Sequence, residues 1–289
     1  MLGKLIKHDF RALSRTLFPL QVGILGGGLV ATLFMTINMR LSVLPADIIN
    51  PNFKMILTGL TTMLLVIIGL CIAASALVTL LLVCIQFYRN LMSSQGYLTF
   101  TLPVTTGRIL WSKLITGMIW VAINAVVVIV TVLIFAVFGT ASSGFANPRA
   151  LDFLREGFAA FSALGAYAPV GTTLIVLEGI VYTVVALATS LLQAYFAIAI
   201  GGRATKHRLL ASVGMYIALS MGMSMISTFL TLTGALWPSV AILSAAAAET
   251  MTLRFVHFVI IGGSVLNAAF GVLFFIFARL LMKNKLNLQ

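Results

Sequence analysis

The amino-acid sequence predicts an all-α integral membrane protein with six transmembrane helices. The chain has 289 residues, of which 61% are hydrophobic and only 8% are charged. A water-soluble domain carries about 25% Asp, Glu, Lys and Arg, so this chain has too little charge to cover a soluble surface. Intrinsic disorder is excluded as well, because disordered chains are poor in apolar residues.

Six apolar runs are long enough to cross a bilayer, which requires about 20 residues in a helix. They are apolar on all sides, whereas a transmembrane β-barrel would alternate apolar and polar residues along each strand. No small-residue cleavage pattern follows the first run, so we expect it to remain as an anchor. The predicted spans, which we expect to form one transmembrane domain (1–289), cover residues 17–39, 55–87, 110–138, 170–200, 209–232 and 255–281.

The distribution of basic residues predicts the orientation of these spans. Thirteen of the 18 Lys and Arg residues lie at the N-terminus, after the second and fourth spans, and at the C-terminal end, and five lie on the opposite side. Since cytoplasmic segments carry the excess of Lys and Arg, both termini are predicted to face the cytoplasm. Orientation also explains the net charge of +12, so we expect no nucleic-acid partner.

The N-terminal segment 1–16 has the pattern of an amphipathic helix that lies in the inner membrane interface. Its basic side would contact anionic lipid headgroups and its apolar side the acyl chains. The alternative is a charged anchor that only sets orientation. The apolar positions are Leu2, Leu5, Ile6, Phe10, Leu13 and Leu17, and the basic positions are Lys4, Lys7, Arg11 and Arg15.

The second span and the segment after it are unusual. A helix from Met55 to Tyr88 would be about 50 Å long against a hydrocarbon core of about 30 Å, so it is either strongly tilted or projects into the cytoplasm. The following segment combines large apolar side chains with Gly96 and Pro103 in a position that should face water. Exposed apolar clusters of this kind mark contact surfaces, although an ordinary loop folded onto its own helices is the alternative. Thr105 or Thr106 can cap the next helix.

The two outer segments, 139–169 and 233–254, contain further helical patterns. Asn147 and Pro148 resemble an N-cap followed by an N1 proline, which predicts a short helix on the outer interface. The stretch from Trp237 to Glu249 is too apolar for a solvated loop and too short to cross, which predicts a re-entrant or interfacial helix.

These features together resemble the permease subunits of bacterial ATP-binding-cassette transporters of the type 2 exporter class. The resemblance rests on the basic N-terminal helix, the six spans, the cytoplasmic stretch Gly-Tyr-Leu-Thr-x-x-Leu-Pro-Val (96–104) and Lys113 at the start of the third span. The opening Lys-Leu-Ile-Lys-His-Asp-Phe-Arg (4–11) is similar to members from Gram-positive bacteria. The resemblance implies a multi-pass protein of the bacterial cell membrane and an outer re-entrant segment between spans five and six.

The resemblance also implies that segment 88–109 is cytoplasmic and carries a coupling helix that docks into a groove of the ATPase subunit. Gln95 stands where family members often have an acidic residue. The coupling residues that the resemblance implies are Arg89, Ser93, Gln95, Gly96, Tyr97, Leu98, Phe100 and Pro103.

The predicted function is therefore the permease half of an ATP-driven transporter, without catalytic residues, metal or cofactor of its own. The chain has no Gly-x-x-x-x-Gly-Lys-Ser/Thr phosphate loop, so ATP and Mg²⁺ are expected on a partner ATPase subunit. A second permease, in a homodimer or heterodimer, and membrane lipids are the other expected partners. The expected cargo is an amphipathic peptide, a drug or a lipid-like molecule. The alternative is a secondary carrier or channel that is not coupled to ATP.

A few polar or small residues within the spans are candidates for the substrate pathway or for helix contacts. Glu178 either lines the pathway or pairs with an outer arginine, Arg155 or Arg254. Asn124, Gln193 and Asn267 are interhelical hydrogen-bonding groups or pathway residues. Two small-residue pairs permit close helix approach, either to a second permease or within the chain; they are Gly23 with Gly27 and Ser220 with Ser224.

Overall fold

A computed structural model of the protein describes residues 2–43, 50–92, 105–141, 155–156, 159, 172–204, 207–241 and 245–284. The described chain contains six long helices and no strand, and each helix is long and apolar enough to cross a membrane. The predicted all-helical class with six candidate spans is therefore confirmed. The helices are α1 (Leu2–Val43), α2 (Pro51–Met92), α3 (Thr106–Ala141), α4 (Thr172–Gly201), α5 (Arg208–Ala241) and α6 (Ala245–Asn284).

The first helix is longer than the first predicted span, because residues 2–16 and the span form one continuous helix with Pro19 inside it. Proline removes one backbone hydrogen bond, a loss that transmembrane helices tolerate. Leu13 and Leu17, which were expected to face the acyl chains, are buried in the protein. They begin a stripe at helical spacing that continues through Gln21 and Ile24. The interfacial position of residues 1–16 stays a prediction.

The fifth helix is also longer than expected. Residues 237–241, assigned from the sequence to a separate outer helix, continue α5, and residues 245–249 are the first turn of α6. In the preceding outer segment, 139–169, residues 139–141 continue α3, and residues 155, 156 and 159 are helical. The rest of the outer helix that was expected after Pro148 lies outside the described residues. Re-entry into the membrane stays a prediction.

The chain divides into two compact units. The C-terminal unit contains Met1–Ile6, Cys84–Met118 and Ala160–Gln289, and therefore includes the end of α2, the start of α3 and all of α4 to α6. The N-terminal unit contains Lys7–Val83 and Ile119–Ala159, and therefore includes most of α1 and α2 and the rest of α3. Whether these units function as one transmembrane domain stays a prediction.

In the C-terminal unit, α4 contacts both α5 and α6. It runs antiparallel to α5, because Gln193 reaches Ser220 while Gly201 lies against Ser212. It runs parallel to α6, because the Thr189 hydroxyl donates to the Asn267 carbonyl and, seven residues later, Phe196 stacks on Phe274.

In the N-terminal unit, α1 and α2 are antiparallel and α1 and α3 are parallel. Gly27 of α1 lies against Ile68 of α2, and Thr58 hydrogen-bonds to Asn38. Gly28 of α1 lies against Thr131 of α3. Within each unit, successive helices therefore alternate in direction, as helices must when short connections join membrane crossings.

Candidate functional site

The predicted coupling segment lies between α2 and α3, and the structure describes its two ends. Arg89 lies in the last turn of α2 and is exposed. Thr105 precedes α3, and its carbonyl accepts the backbone N–H groups of Arg108 and Ile109 at 2.9 and 3.3 Å, so the helix starts at the predicted place. The remaining predicted coupling residues lie outside the described residues; they are Ser93, Gln95, Gly96, Tyr97, Leu98, Phe100 and Pro103.

The two helices that flank this segment contact the same residue of α4. Phe87, one turn before the end of α2, stacks on Tyr195 with ring centroids 4.0 Å apart and an interplanar angle of 18°. The Tyr195 hydroxyl donates a hydrogen bond to the backbone carbonyl of Lys113 in α3, at 3.2 Å. Both rings are 1% exposed. Tyr195 therefore joins α2 and α3 at the base of the segment.

The start of α3 is packed into the C-terminal unit on several sides. Ile109, Leu110 and Leu114 are buried there. Trp111 contacts Phe275 of α6, with ring centroids 5.4 Å apart. A Cβ on Gly107 would lie 3.5 Å from Nε of Arg279, so this basic side chain of α6 covers the first turn of α3. These contacts hold the start of α3 against α4 and α6.

Glu178 of α4 contacts His257 of α6, a partner that the sequence reasoning did not name. The Nδ1 atom of His257 lies 2.7 Å from Oε2 of Glu178, and the two side chains are 30% and 20% exposed. A carboxylate within an apolar span is costly unless it is paired, so this contact offsets part of that cost. Arg155 is exposed, and the Arg254 side chain is not described.

Gln193 and Asn267 both make hydrogen bonds within the C-terminal unit. Nε2 of Gln193 donates to the Ser220 hydroxyl at 2.7 Å and to the Tyr216 carbonyl at 3.4 Å. The Asn267 side chain donates to the carbonyl of Gly263 in its own helix, while its backbone carbonyl accepts from Thr189. The Gln193 contacts support the interhelical interpretation of that residue, whereas the Asn267 side chain bonds within α6; a substrate role of either residue stays a prediction.

Asn124 lies in the N-terminal unit and pairs with Gln21, with 3.3 Å between Nδ2 and Oε1. Trp120, one turn earlier on α3, stacks on Phe10. The donor atoms Gln21 Nε2 and Trp120 Nε1 are buried and have no hydrogen-bond partner among the described residues. Gln21, Trp120 and Asn124 thus place buried polar groups on α1 and α3, and we call these three residues the polar strip.

In each of the two small-residue pairs that were predicted to permit close approach, the two members have different surroundings. Gly27 lies against Ile68 and Ser220 binds Gln193, so these two serve contacts within the chain. Gly23 has no atom within 4 Å of the position of a Cβ, and Ser224 is exposed. Their contact with a second permease stays a prediction.

The sequence analysis missed several residues that make the closest helix contacts. A Cβ on Gly271 would lie 2.9 Å from the Thr189 hydroxyl, and one on Gly263 would lie 3.0 Å from the Tyr182 ring. Gly263, Asn267 and Gly271 recur every four residues, a signal that could have identified this face of α6. Tyr195 left no such signal, because its partners come from two distant segments.

Nothing in the described ranges forms a cluster of three His, Cys, Asp or Glu side chains that could hold a metal ion. Cys71 is exposed and Cys84 is partly buried, and both are free thiols. Comparisons with protein-family models, with curated proteins and with solved structures found no match for this chain.

Proposed function

We propose that this protein is the permease half of an ATP-driven exporter, with ATP hydrolysis on a separate subunit. In this proposal two permeases form the cavity, and two ATPase subunits drive it between inward and outward access. The segment 93–104 transmits the movement. A transition of this kind requires the ATPase to bind the two arrangements with unequal affinity.

The observation that carries the proposal is the length of α2. Its 42 residues form one helix from Pro51 to Met92. At 1.5 Å per residue the helix is about 63 Å long, roughly twice the thickness of the hydrocarbon core. Even a strongly tilted helix of this length leaves a turn or more outside the hydrocarbon, and we propose that this part is the end that carries Arg89, next to the Gly-Tyr-Leu-Thr stretch. A soluble partner could therefore contact that stretch.

The location of the basic residues also supports the proposal. Arg89, Arg108, Arg203 and Arg279 lie at helix ends that the alternating helix directions bring to the same end of the C-terminal unit. At this same end of the unit, α2 ends before segment 93–104 and α3 begins after it. In the proposal, the excess of positive charge that marks the cytoplasmic side and the contact with the ATPase therefore belong to the same end of the C-terminal unit.

The proposal is tested by purifying the tagged chain from membranes of its source organism in mild detergent. We expect an ATPase subunit to co-purify and the eluate to hydrolyse ATP in the presence of Mg²⁺. A Tyr97→Arg variant should reach the membrane in equal amount but recover less ATPase, because the charge disrupts an apolar contact. An Asn52→Arg variant, which adds the same charge at an exposed position in the first turn of α2, is the control.

Recovery of the native chain without any nucleotide hydrolase would reject the proposal. So would extracellular labelling of a cysteine introduced at Ser93, because the segment must face the cytoplasm to reach an ATPase. Labelling of intact cells with a membrane-impermeant maleimide measures this directly.

A secondary carrier or channel is the second candidate, and the Glu178–His257 contact is the observation that favours it. Carriers use paired ionisable groups within spans to bind ions or protons. Such a protein would move its cargo after reconstitution alone in liposomes, driven by an ion gradient and insensitive to ATP. This assay separates the two candidates.

A further inference from the structure

We propose that Glu178, His257 and Tyr182 form a binding site for an organic cation, that is, a positively charged group with apolar substituents. All three residues belong to the C-terminal unit, where α4 and α6 run parallel. The assignment of this cation to the exported cargo rests on the proposed function. The binding site itself depends only on contacts within the C-terminal unit.

Glu178 brings a negative charge into an otherwise apolar region. It is the only Asp or Glu within the six predicted spans. Leu174, one turn earlier on α4, and Leu177 are exposed apolar residues. Charged groups within a span are costly and commonly mark pathways or binding sites for substrates and ions. A cation beside this carboxylate would be bound more strongly than in water, because the apolar surroundings lower the local dielectric constant.

The contact with His257 holds the carboxylate in place through one of its two oxygens. Nδ1 of His257 lies 2.7 Å from Oε2 of Glu178. Within the described ranges, Glu178 makes no other hydrogen bond or ion pair, and its side chain is 20% exposed. An ionised carboxylate accepts about four hydrogen bonds in all. A neutral imidazole that donates Nδ1–H therefore orients Glu178 and leaves its negative charge and Oε1 for a cation.

Tyr182 adds an aromatic ring one turn further along α4. Residues four positions apart lie on the same face of a helix, so Tyr182 follows Glu178 along the side of α4 that meets α6. Its ring lies against Gly263 of α6, where a Cβ would lie 3.0 Å from Cε2 of Tyr182. The residue is 39% exposed, so part of the ring is accessible to a ligand. Aromatic faces attract organic cations such as quaternary ammonium groups.

These side chains suit an organic cation better than a metal ion. Ca²⁺ takes about six to eight oxygen ligands, and Glu178 supplies the only carboxylate that the described residues place here. A structural or catalytic zinc site needs at least three protein ligands, and no group of three His, Cys, Asp or Glu side chains occurs in the described part of the chain. An organic cation needs one opposite charge, an aromatic face and apolar surroundings. Ile261, an exposed residue one turn after His257, extends those apolar surroundings onto α6.

The first test measures binding of methyltriphenylphosphonium, an organic cation, to the purified chain in phosphatidylcholine nanodiscs. A radiolabelled ligand in a scintillation proximity assay gives the dissociation constant, and nanodiscs without protein give the background from partition into lipid. We expect saturable binding to the native chain. Triphenylphosphine oxide, a neutral compound of similar shape, should not displace the cation. Binding that does not saturate, or displacement by the neutral compound, would overturn the proposal.

The charge of Glu178 is tested by a substitution that keeps the shape of its side chain. Glu178→Gln should weaken binding about tenfold or more, because it removes the only opposite charge. Glu156→Gln removes the same charge at an exposed position outside the predicted spans, and this matched control should bind like the native chain. Size-exclusion chromatography checks that both variants are folded. Native affinity in Glu178→Gln would overturn the proposal, as would an equal loss in Glu156→Gln.

Two substitutions at His257 separate the charge of Glu178 from the integrity of the α4–α6 contact. His257→Gln keeps a neutral hydrogen-bond donor and should bind the cation with close to native affinity. His257→Arg places a permanent positive charge beside the carboxylate and should abolish binding, although Glu178 is still present. Equal affinities of the two variants would overturn the proposal, because a free negative charge would then not be what the ligand recognises.

The aromatic part of the site is tested at Tyr182. Tyr182→Leu should weaken binding about threefold, because it removes the aromatic face. Tyr182→Phe keeps the ring and should bind like the native chain. An equal loss in both variants would overturn the role of the ring, since only the hydroxyl group is absent from Tyr182→Phe.

The assignment of the cation to the cargo is tested in the complex with the co-purifying ATPase. Methyltriphenylphosphonium should raise the rate of ATP hydrolysis by the native complex and leave the rate of the Glu178→Gln complex unchanged. No increase in the native complex would overturn the assignment to the cargo.

The binding site and the proposed function can fail separately. If the native chain brings no ATPase, the proposed function fails, and the nanodisc measurements still decide whether Glu178 binds an organic cation. If an ATPase is present but the native chain in nanodiscs does not bind the cation, the binding site fails and the proposed function stands.

Discussion

The contacts inside the C-terminal unit differ in kind from the contacts inside the N-terminal unit. In the C-terminal unit, buried apolar side chains outnumber buried polar ones, and aromatic pairs join α2, α3, α4 and α6. In the N-terminal unit, buried polar side chains are as numerous as apolar ones among the described residues. There the helices meet through glycines, threonines and the Gln21–Asn124 hydrogen bond.

This difference shows two solutions to one problem of membrane folding. Lipid tails are as apolar as leucine, so the hydrophobic effect does not drive helices together within the bilayer. Association depends instead on van der Waals packing, which large aromatic side chains supply, or on close backbone approach with hydrogen bonds, which small residues permit. Both units use close glycine contacts, but the C-terminal unit adds most of the described aromatic pairs, whereas the N-terminal unit has one aromatic stack and a larger share of buried polar side chains.

The largest effect is expected from Gly201→Ala in the C-terminal unit. Its Cβ would lie 2.5 Å from Cα of Ser212 and closer still to the Ser212 backbone nitrogen. This steric clash can be removed only if the backbone of α4 or α5 moves. We expect a loss of stability of more than about 3 kcal/mol, seen as loss of the monodisperse peak in size-exclusion chromatography.

Gly214→Ala in α5, where a Cβ has no atom within 4 Å, is the matched control and should behave like the native chain. A comparison with Gly28→Ala sharpens the difference between the units. That Cβ would lie 2.6 Å from the methyl carbon of Thr131, so a side chain rather than a backbone must shift, and the effect should be smaller. An equal loss of stability in Gly201→Ala, Gly214→Ala and Gly28→Ala would contradict the expected difference between these three positions.

Phe274→Ala should cost about 3 kcal/mol, because it leaves a cavity between α4 and α6. Phe274 is buried and stacks on both Phe196 and Phe270. Unfolding of the protein in mixed micelles titrated with dodecyl sulfate measures the change. Phe277→Ala, at an exposed position one turn later, should cost much less, and a larger effect there would argue against an aromatic core in this unit.

Glu178 and His257 should show a coupling energy of about 1 kcal/mol in a double-mutant cycle with Glu178→Gln and His257→Ala. The value is modest because both side chains are partly exposed. The same micelle titration measures the four proteins of the cycle. Additive effects of the two substitutions would show that the 2.7 Å contact contributes nothing to stability.

The smallest effect is expected in the N-terminal unit. Asn124→Leu should lower the free energy of unfolding by about 0.6 kcal/mol. The substitution removes a single hydrogen bond and leaves Gln21 without this partner. The double variant Gln21→Leu, Asn124→Leu should be close to native, because it removes both polar partners together. A double variant less stable than the single one would show that the polar strip is indispensable to the packing of this unit.

Much of the fold could be predicted from the sequence, because each crossing depends on local properties. The described parts of all six predicted spans fall inside helices, and Thr105 marks the start of α3. The differences are at helix ends. Residues 2–16 are continuous with the first span in α1, and α5 continues to Ala241, because backbone hydrogen bonding carries on where the hydropathy pattern changes.

The candidate site was less predictable than the fold. Arg89 was placed at the base of the coupling segment from the sequence, and the structure describes it at the end of α2. Tyr195, which contacts both helices that flank that segment, and His257, which contacts Glu178, were not identified. Both contacts join residues about 80 or more positions apart, beyond the reach of any periodicity.

The sequence by itself determined that the described chain is helical and that six of its segments are long and apolar enough to cross a membrane. The physical reason is local: a segment in lipid must satisfy its backbone hydrogen bonds internally, so length and hydropathy are sufficient. Only the tertiary structure decided which faces meet. That choice depends on the shapes of side chains from distant segments, and in this protein it joins α2 and α3 to α4 through a single tyrosine.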